Sequence, residues 1–145
     1  MLSSPGPRKI LFLCTGNSCR SQLAEALVNR DLAGRWYAVS AGTRPAGFVH
    51  PLALHVLGEV GIEHQGVSKS VEQFRGQPFD LVVTVCGDAE ENCPLWLGQG
   101  RKVHIGFPDP AKAEGTPEQI LAVFRKVRDD IRAQVEAYLA GMDDN

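Results

Sequence analysis

The chain has 145 residues, 43% hydrophobic and 22% charged, with a formal net charge of -2. A chain of this size can bury roughly 68–70% of its unfolded surface in one compact domain, and its slight acidic balance argues against a surface built to track nucleic-acid phosphates. No run reaches the 18 apolar residues of a membrane span, so neither nucleic acid nor a membrane is expected as a partner.

The opening "MLSSPGPRK" lacks an apolar signal core. Residues 1–8 therefore read as a mobile leader before a domain at 9–141, with 142–145 as a tail. A cytoplasmic location follows as the expectation, and the four cysteines would rest there as thiols rather than structural disulfides. "KILFL" (9–13) is a short apolar run typical of a buried strand. "SQLAEALVNRDLAG" (21–34) has helical spacing and ends at a glycine. "WYAVSAG" (36–42) reads as a second strand, "HPLALHVLGEVGI" (50–62) as a helix, and "SVEQFRG" (70–76) as a short helical turn. "FDLVVTV" (79–85) is a third strand and "KVHIGF" (102–107) a fourth. A long helix follows, with Thr116 as N-cap, Pro117 at its first position and Gln119 as capping-box partner. Apolar residues at 120, 123, 124, 127, 131, 135 and 138 would form its buried face, and Gly141 would stop it.

Strands alternating with helices predict an α/β fold: one three-layer domain with a central four-stranded parallel sheet and helices on both faces. In such sheets ligands bind beyond the carboxyl ends of the strands. Cys14 follows the first strand, Cys86 the third and Asp109 the fourth, so three chemically active side chains should converge there.

"LCTGNSCRSQ" (13–22) holds far more chemistry than a packing turn requires. Cys14 and Arg20 are separated by five residues, in a loop between a strand and a helix start. Backbone N–H groups there are unpaired within the helix and the dipole favours an anion. Gly16 allows a tight turn, and Arg20 adds a planar fork that grips two oxygens of a tetrahedral oxyanion. The same field favours a nucleophilic thiolate at Cys14, with Ser21 able to donate to the sulfur or to the bound group. The cradle thus comprises Thr15, Gly16, Asn17, Ser18, Cys19, Arg20 and Ser21 around Cys14. Cys86 and Cys93, seven apart, fit zinc poorly, since ligand pairs are usually two to four residues apart. The alternative is a pair of core thiols, but "GDAEEN" between them is polar. His50, His55, His64 and His104 share no metal spacing and read as helix or strand-edge residues.

"CTGNSCRSQLAE" together with "DP" at 109–110 resembles the low-molecular-weight tyrosine phosphatases, and "VCGDAEENCP" narrows the resemblance to their thioredoxin-coupled arsenate reductase branch. It covers about residues 9–140. The resemblance implies that arsenate sits in the cradle, with phosphate or sulfate as competitors, and that Cys14 attacks arsenic while Asp109 supplies the proton to the departing oxygen. Cys86 would then attack Cys14 and release arsenite. Cys93 would attack Cys86, leaving an 86–93 disulfide for thioredoxin to reduce. No tightly bound cofactor is implied, and a monomer is expected. Cys19 reads as a modulator of the loop's redox sensitivity or as packing. A helical 86–93 would hold its ends about 10.5 Å apart, too far for a disulfide, so residues 86–97 are expected to rearrange, with Gly87 as a hinge.

Some members of this group bind potassium beside the cradle. Asn17, Glu25 and Ser40 match those ligands, but the acidic fourth falls at Lys69, whose ammonium could replace the ion and pair with Glu25. The rival enzyme reading is a phosphatase using Cys14, Arg20 and Asp109 alone. Against it, "PAKAEG" after Asp109 carries no aromatic residue to sandwich a phenyl ring. A phosphocarrier domain would need neither Arg20 nor the 86/93 pair.

Overall fold

The computed structural model describes residues 6–87 and 100–143. Cys93, with most of the segment expected to rearrange, lies outside the described residues. The elements run β1 (Arg8–Cys14), α1 (Arg20–Asp31), β2 (Trp36–Gly42), α2 (Pro51–Glu59), a 3-10 turn Val71–Phe74, β3 (Leu81–Thr84), β4 (Arg101–His104), a 3-10 turn Pro110–Lys112 and α3 (Pro117–Asp143). The strands form one sheet in the order β2-β1-β3-β4, and every neighbouring pair is parallel. This is the expected α/β architecture.

Composition explains the order. β1 and β3 are continuous apolar runs, which only a strand covered on both faces can bury, and they take the middle. β4 carries exposed Arg101 and Lys102 and lies at an edge, where charge discourages further pairing. The period of two along β1 divides the core. Ile10, Phe12 and Cys14 join the cluster built from Leu23 and Leu27 of α1, Leu57 of α2 and Phe124, Ile131 and Leu139 of α3. Leu11 and Leu13 join a smaller cluster with Val71, Phe79 and Val82. Helical cover is therefore unequal: the three α-helices fill one side, while the Val71–Phe74 turn packs on the other.

The capping box of α3 is formed. Gln119 N donates to Thr116 Oγ1 at 3.1 Å and Thr116 N to Gln119 Oε1 at 2.9 Å. Two expectations for this helix need correction. Val123 is 36% exposed because the buried stripe runs through Phe124, Val127, Ile131, Val135 and Leu139, with Arg128 also buried on it. Gly141 does not stop the helix, which continues to Asp143. Nothing lies within 4 Å of a Cβ placed there, so the glycine costs only its helix propensity, about 1 kcal/mol.

Candidate active site

The loop from Cys14 to Arg20 is held from outside by its carbonyls. Thr15 O accepts from Arg44 N at 3.0 Å, Gly16 O from Ala46 N at 2.9 Å, and Ser18 O from His50 N at 3.1 Å. Ser68 Oγ also donates to Gly16 O at 3.0 Å. In a trans peptide the C=O of one residue and the N–H of the next point opposite ways. Turning these carbonyls towards the 44–50 and 68 segments therefore turns the N–H groups of Gly16, Asn17 and Cys19 the other way. At the end of the loop Cys19 caps α1 without a side-chain hydrogen bond, and no acidic residue stands in the first turn. The positive helix end is thus left to an exogenous anion.

Asn17 is the only non-glycine residue with positive φ among those described, at 48°, a conformation Asn tolerates better than most. Its side chain holds the loop there: Oδ1 accepts from Lys69 N at 2.8 Å, and Nδ2 donates to Ser21 Oγ at 2.8 Å. Gly42, at the end of β2, makes room for the bend, since a Cβ there would lie 2.4 Å from Thr15 O.

Cys14 lies at the floor, 2% exposed, with Sγ 2.9 Å from Ser21 Oγ. Arg20 is 3% exposed. Its Nη1 donates to Phe107 O at 3.1 Å and its Nη2 is 3.7 Å from Asp109 Oδ2. Asp109 caps the Pro110–Lys112 turn through Oδ1, which accepts from Ala111 N at 3.0 Å. That leaves Oδ2 as the oxygen on the Arg20 side. A cavity of about 230 Å³ opens above, lined by Cys14, Gly16, Ser18, Cys19, Arg20 and Asp109, with Ala46, Phe48, His50 and Ala111 at its walls.

Cys14, Cys19 and Cys86 are all thiols and all buried. Burial pushes the Cys19 thiol up to about 12, with the charges of Asp109 and Cys14 adding to it. Cys19 therefore stays neutral and packs in the core, contributing its backbone N–H to the cradle. Cys86 is placed by the sheet. Val85 N donates to Leu13 O at 2.9 Å, extending the β1–β3 register in which Leu13 faces Thr84. Cys86 is then one residue beyond the level of Cys14, just past the end of β3. Strand geometry continued to that point, with a spacing of about 4.8 Å and a rise of about 3.3 Å, would put the two Cα atoms roughly 6 Å apart, within the range a disulfide spans. Both side chains belong to the same buried cluster. Close packing requires a glycine at position 87, since a Cβ on Gly87 would lie 1.9 Å from Phe107 O. The loop carrying Cys86 and the loop leading to Asp109 thus touch backbone to backbone.

Beneath the cradle, Ser40 Oγ donates to Glu25 Oε1 at 2.9 Å, and Lys69 Nζ approaches the same oxygen at 3.6 Å while donating to Val67 O at 2.8 Å. Glu25 and Ser40 are thus in contact and the ammonium of Lys69 supplies a positive charge beside them, while Asn17 is tied to the same residue through the Lys69 backbone N–H.

Sequence reasoning missed four contributors. His50 caps α2, its Nδ1 accepting from Leu52 N at 3.1 Å, and stacks on Phe124 with ring centroids 4.8 Å apart. Burial holds its titration below the usual histidine range, opposed by the charge of Asp109. The signal was present: a residue just before Pro51 is a natural cap, which brings it to the mouth of the loops. Phe48, 54% exposed, supplies an aromatic wall to the cavity, where none was expected. Gln22 and His64 join the network behind the sulfur, and the sequence carries no local pattern that reveals them. His55, in contact with Glu59 at 3.6 Å on α2, and His104, paired with Thr84 at 2.7 Å on β4, do not line the cavity.

A family model described as low molecular weight phosphotyrosine protein phosphatase matches residues 9–145. An arsenate reductase of Halalkalibacterium halodurans is 46% identical over 130 residues, which is 89% of this chain and 93% of that protein. A solved arsenate reductase in the phosphate binding state is similar with a TM-score of 0.72 at 32% identity, covering 92% of this chain and 98% of that one. A thioredoxin-dependent arsenate reductase of Corynebacterium glutamicum gives 0.64 at 25% identity, covering 97% of this chain and 65% of that one.

Proposed function

The chain belongs to the low molecular weight phosphotyrosine protein phosphatase family, and from that premise we propose that it reduces arsenate to arsenite by a relay of thiols renewed by thioredoxin. The observation that carries the reading is the second buried thiol: Cys86 lies two residues beyond β3, the strand beside the one that ends in Cys14. Hydrolysis through a phosphocysteine has no use for it, whereas reduction needs a partner sulfur within disulfide reach.

The geometry supports the following sequence. Arsenate enters the cradle, its oxygens met by loop N–H groups and by the Arg20 guanidinium. The Cys14 thiolate attacks arsenic, a sulfur–arsenic bond forms, and one oxygen departs as water with a proton from Asp109. Oδ2 is the oxygen for that transfer, because Oδ1 is committed to Ala111 N. The Cys86 thiol, losing its proton, then attacks Cys14 Sγ. The sulfur–arsenic bond breaks with its electron pair going to arsenic, so arsenic(V) becomes arsenic(III) and Cys14–Cys86 becomes a disulfide. Cys93 exchanges into that bond and frees Cys14, and a thioredoxin dithiol reduces the resulting 86–93 disulfide. Names borne by the relatives support the substrate; that of the Corynebacterium protein supports the reductant.

The test couples reduced protein to thioredoxin, thioredoxin reductase and NADPH. Arsenate-dependent NADPH oxidation is expected in the wild type and is lost in Cys86→Ser. If the wild type shows no such oxidation yet hydrolyses an aryl phosphate, the phosphatase reading replaces this one.

A further inference from the structure

Gln22 has no solvent exposure, sits two residues past Arg20, and does not line the cavity. Its carboxamide is nevertheless bonded on every side. Nε2 faces Val67 O at 3.0 Å, Asn17 Oδ1 at 3.1 Å and Asn17 O at 3.2 Å, while Oε1 faces His64 Nε2 at 2.8 Å. Two of the three oxygens are backbone carbonyls, which only accept. The amide is thereby fixed with its NH2 towards them and its oxygen towards His64, so His64 must carry a proton on Nε2. The same reasoning fixes Asn17. Its Oδ1 receives the Lys69 N–H at 2.8 Å, which turns its NH2 to Ser21 Oγ, also at 2.8 Å. Ser21 accepts there and has its own hydroxyl proton to give to Cys14 Sγ at 2.9 Å. Each bond of the path from His64 through Gln22, Asn17 and Ser21 to Cys14 donates in one direction, and the path ends on the sulfur.

We propose that Gln22 and His64 are positioning residues for the nucleophile, setting the direction of this path so that Cys14 meets an O–H donor and is held ready as a thiolate. The inference rests on Cys14 being the nucleophile, as proposed above. Gly66 keeps space for the bond: a Cβ there would lie 2.2 Å from His64 Nε2 and 2.3 Å from Gln22 Oε1. Burial holds His64 below the usual histidine range, with Glu25 opposing and Lys69 assisting. The neutral ring must then be the Nε2–H tautomer. Protonating it keeps that hydrogen, so the path survives mild acid. Glu25 from α1, 3.7 Å away, and Lys69 are the charges facing His64. Arg20, Asp109, Cys19 and His50 face the cavity around Cys14, and Cys86 follows the neighbouring strand β3 in the same buried cluster.

The test follows carboxamidomethylation of Cys14 by iodoacetamide against pH in the reduced, full-length protein, resolved by tandem mass spectrometry. Melting temperature is recorded for each variant. Gln22→Met removes all four bonds at similar volume. His64→Leu removes the first donor while leaving the sequence of α1 unchanged, and His64→Gln restores a donor. The reactivity midpoint is expected to move up by about one pH unit in the first two and to return in the third, with kcat falling more than KM for arsenate rises. Should Gln22→Met not fold, His64→Leu decides. A folded His64→Leu with an unmoved midpoint overturns the inference while leaving the nucleophile intact. A wild-type Cys14 no more reactive than an ordinary thiol overturns the nucleophile reading, and this inference with it.

Discussion

Lys69 brings a fixed positive charge to the cluster under the cradle, 3.6 Å from Glu25 Oε1. Its own backbone N–H holds Asn17, so one residue both anchors the strained loop and neutralises the carboxylate behind it. We propose that the ammonium tethered there stands in for a dissolved cation. Exchanging potassium for sodium at constant ionic strength should therefore leave the arsenate-dependent rate and the melting temperature unchanged. Lys69→Ala should lose about 1 kcal/mol of stability and acquire a dependence on the cation supplied; thermal melts in the two salts check both. A wild type that loses activity in sodium would contradict this role for Lys69. At the same scale, the cradle from Cys14 to Arg20 was readable because its chemistry is contiguous: thiol, glycine, asparagine and arginine stand in one turn. Gln22 and His64 were not, because the bond that joins them spans 42 positions; the cap role of His50 was legible from Pro51, but its packing on Phe124 was not. Gly42 could have been suspected, since a glycine closing a strand often marks close backbone approach.

The helices are fastened by charge as well as by apolar packing. Arg132 of α3 reaches Asp31 at the end of α1 with Nε at 2.7 Å and Nη2 at 2.9 Å. Glu136, one turn further, shares the site: burial, then the hydrogen bond and charge of Asp31, push it up to about 8. Hydrogen bonds from Glu136 and Arg132 hold Asp31 below its ordinary value against the opposing effect of burial. The sign follows by linkage. A carboxyl raised in the folded state contributes stability that is complete below its unfolded value of 4.5 and lost as pH rises through about 8. The melting temperature should fall between about pH 5 and pH 8.5, and Glu136→Gln should flatten that fall; circular-dichroism melts across the range measure it. An equal slope in both proteins would exclude Glu136 as the source. Element identity was legible from apolar runs, helical spacing and turn residues, and the capping box marked the start of α3 to the residue. What periodicity could not supply was the interruption of a stripe by a long charged side chain: Arg128 lies among the buried residues because its guanidinium reaches Glu59 Oε1 and Val56 O, both at 3.0 Å. Nor could it say that all three α-helices join one cluster, since that depends on how the crossovers fall in space.

Across the whole molecule, the sheet works as an alignment device. The strand order β2-β1-β3-β4 places the ends of β1 and β3 side by side, and the loop after β4 returns over them. Arg20 Nη1 closes the arrangement by donating to Phe107 O at 3.1 Å. Convergence of Cys14, Cys86 and Asp109 was predictable from alternating strands and helices, because parallel sheets deliver their carboxyl ends to one edge. The distances were not, because they depend on register and on the backbone contact that Gly87 allows. No helix among the described residues is long and apolar enough to cross a membrane.

In the proposed relay sulfur, not water, takes the covalent intermediate apart. The most direct measurement is a single turnover of fully reduced Cys93→Ser with excess arsenate and no external reductant, followed by non-reducing peptide mapping and arsenite determination. A thiol relay predicts one arsenite per protein molecule and a Cys14–Cys86 disulfide formed in equal amount. Arsenite released with both thiols still alkylatable, or no arsenite at all from a protein that binds arsenate, would contradict it.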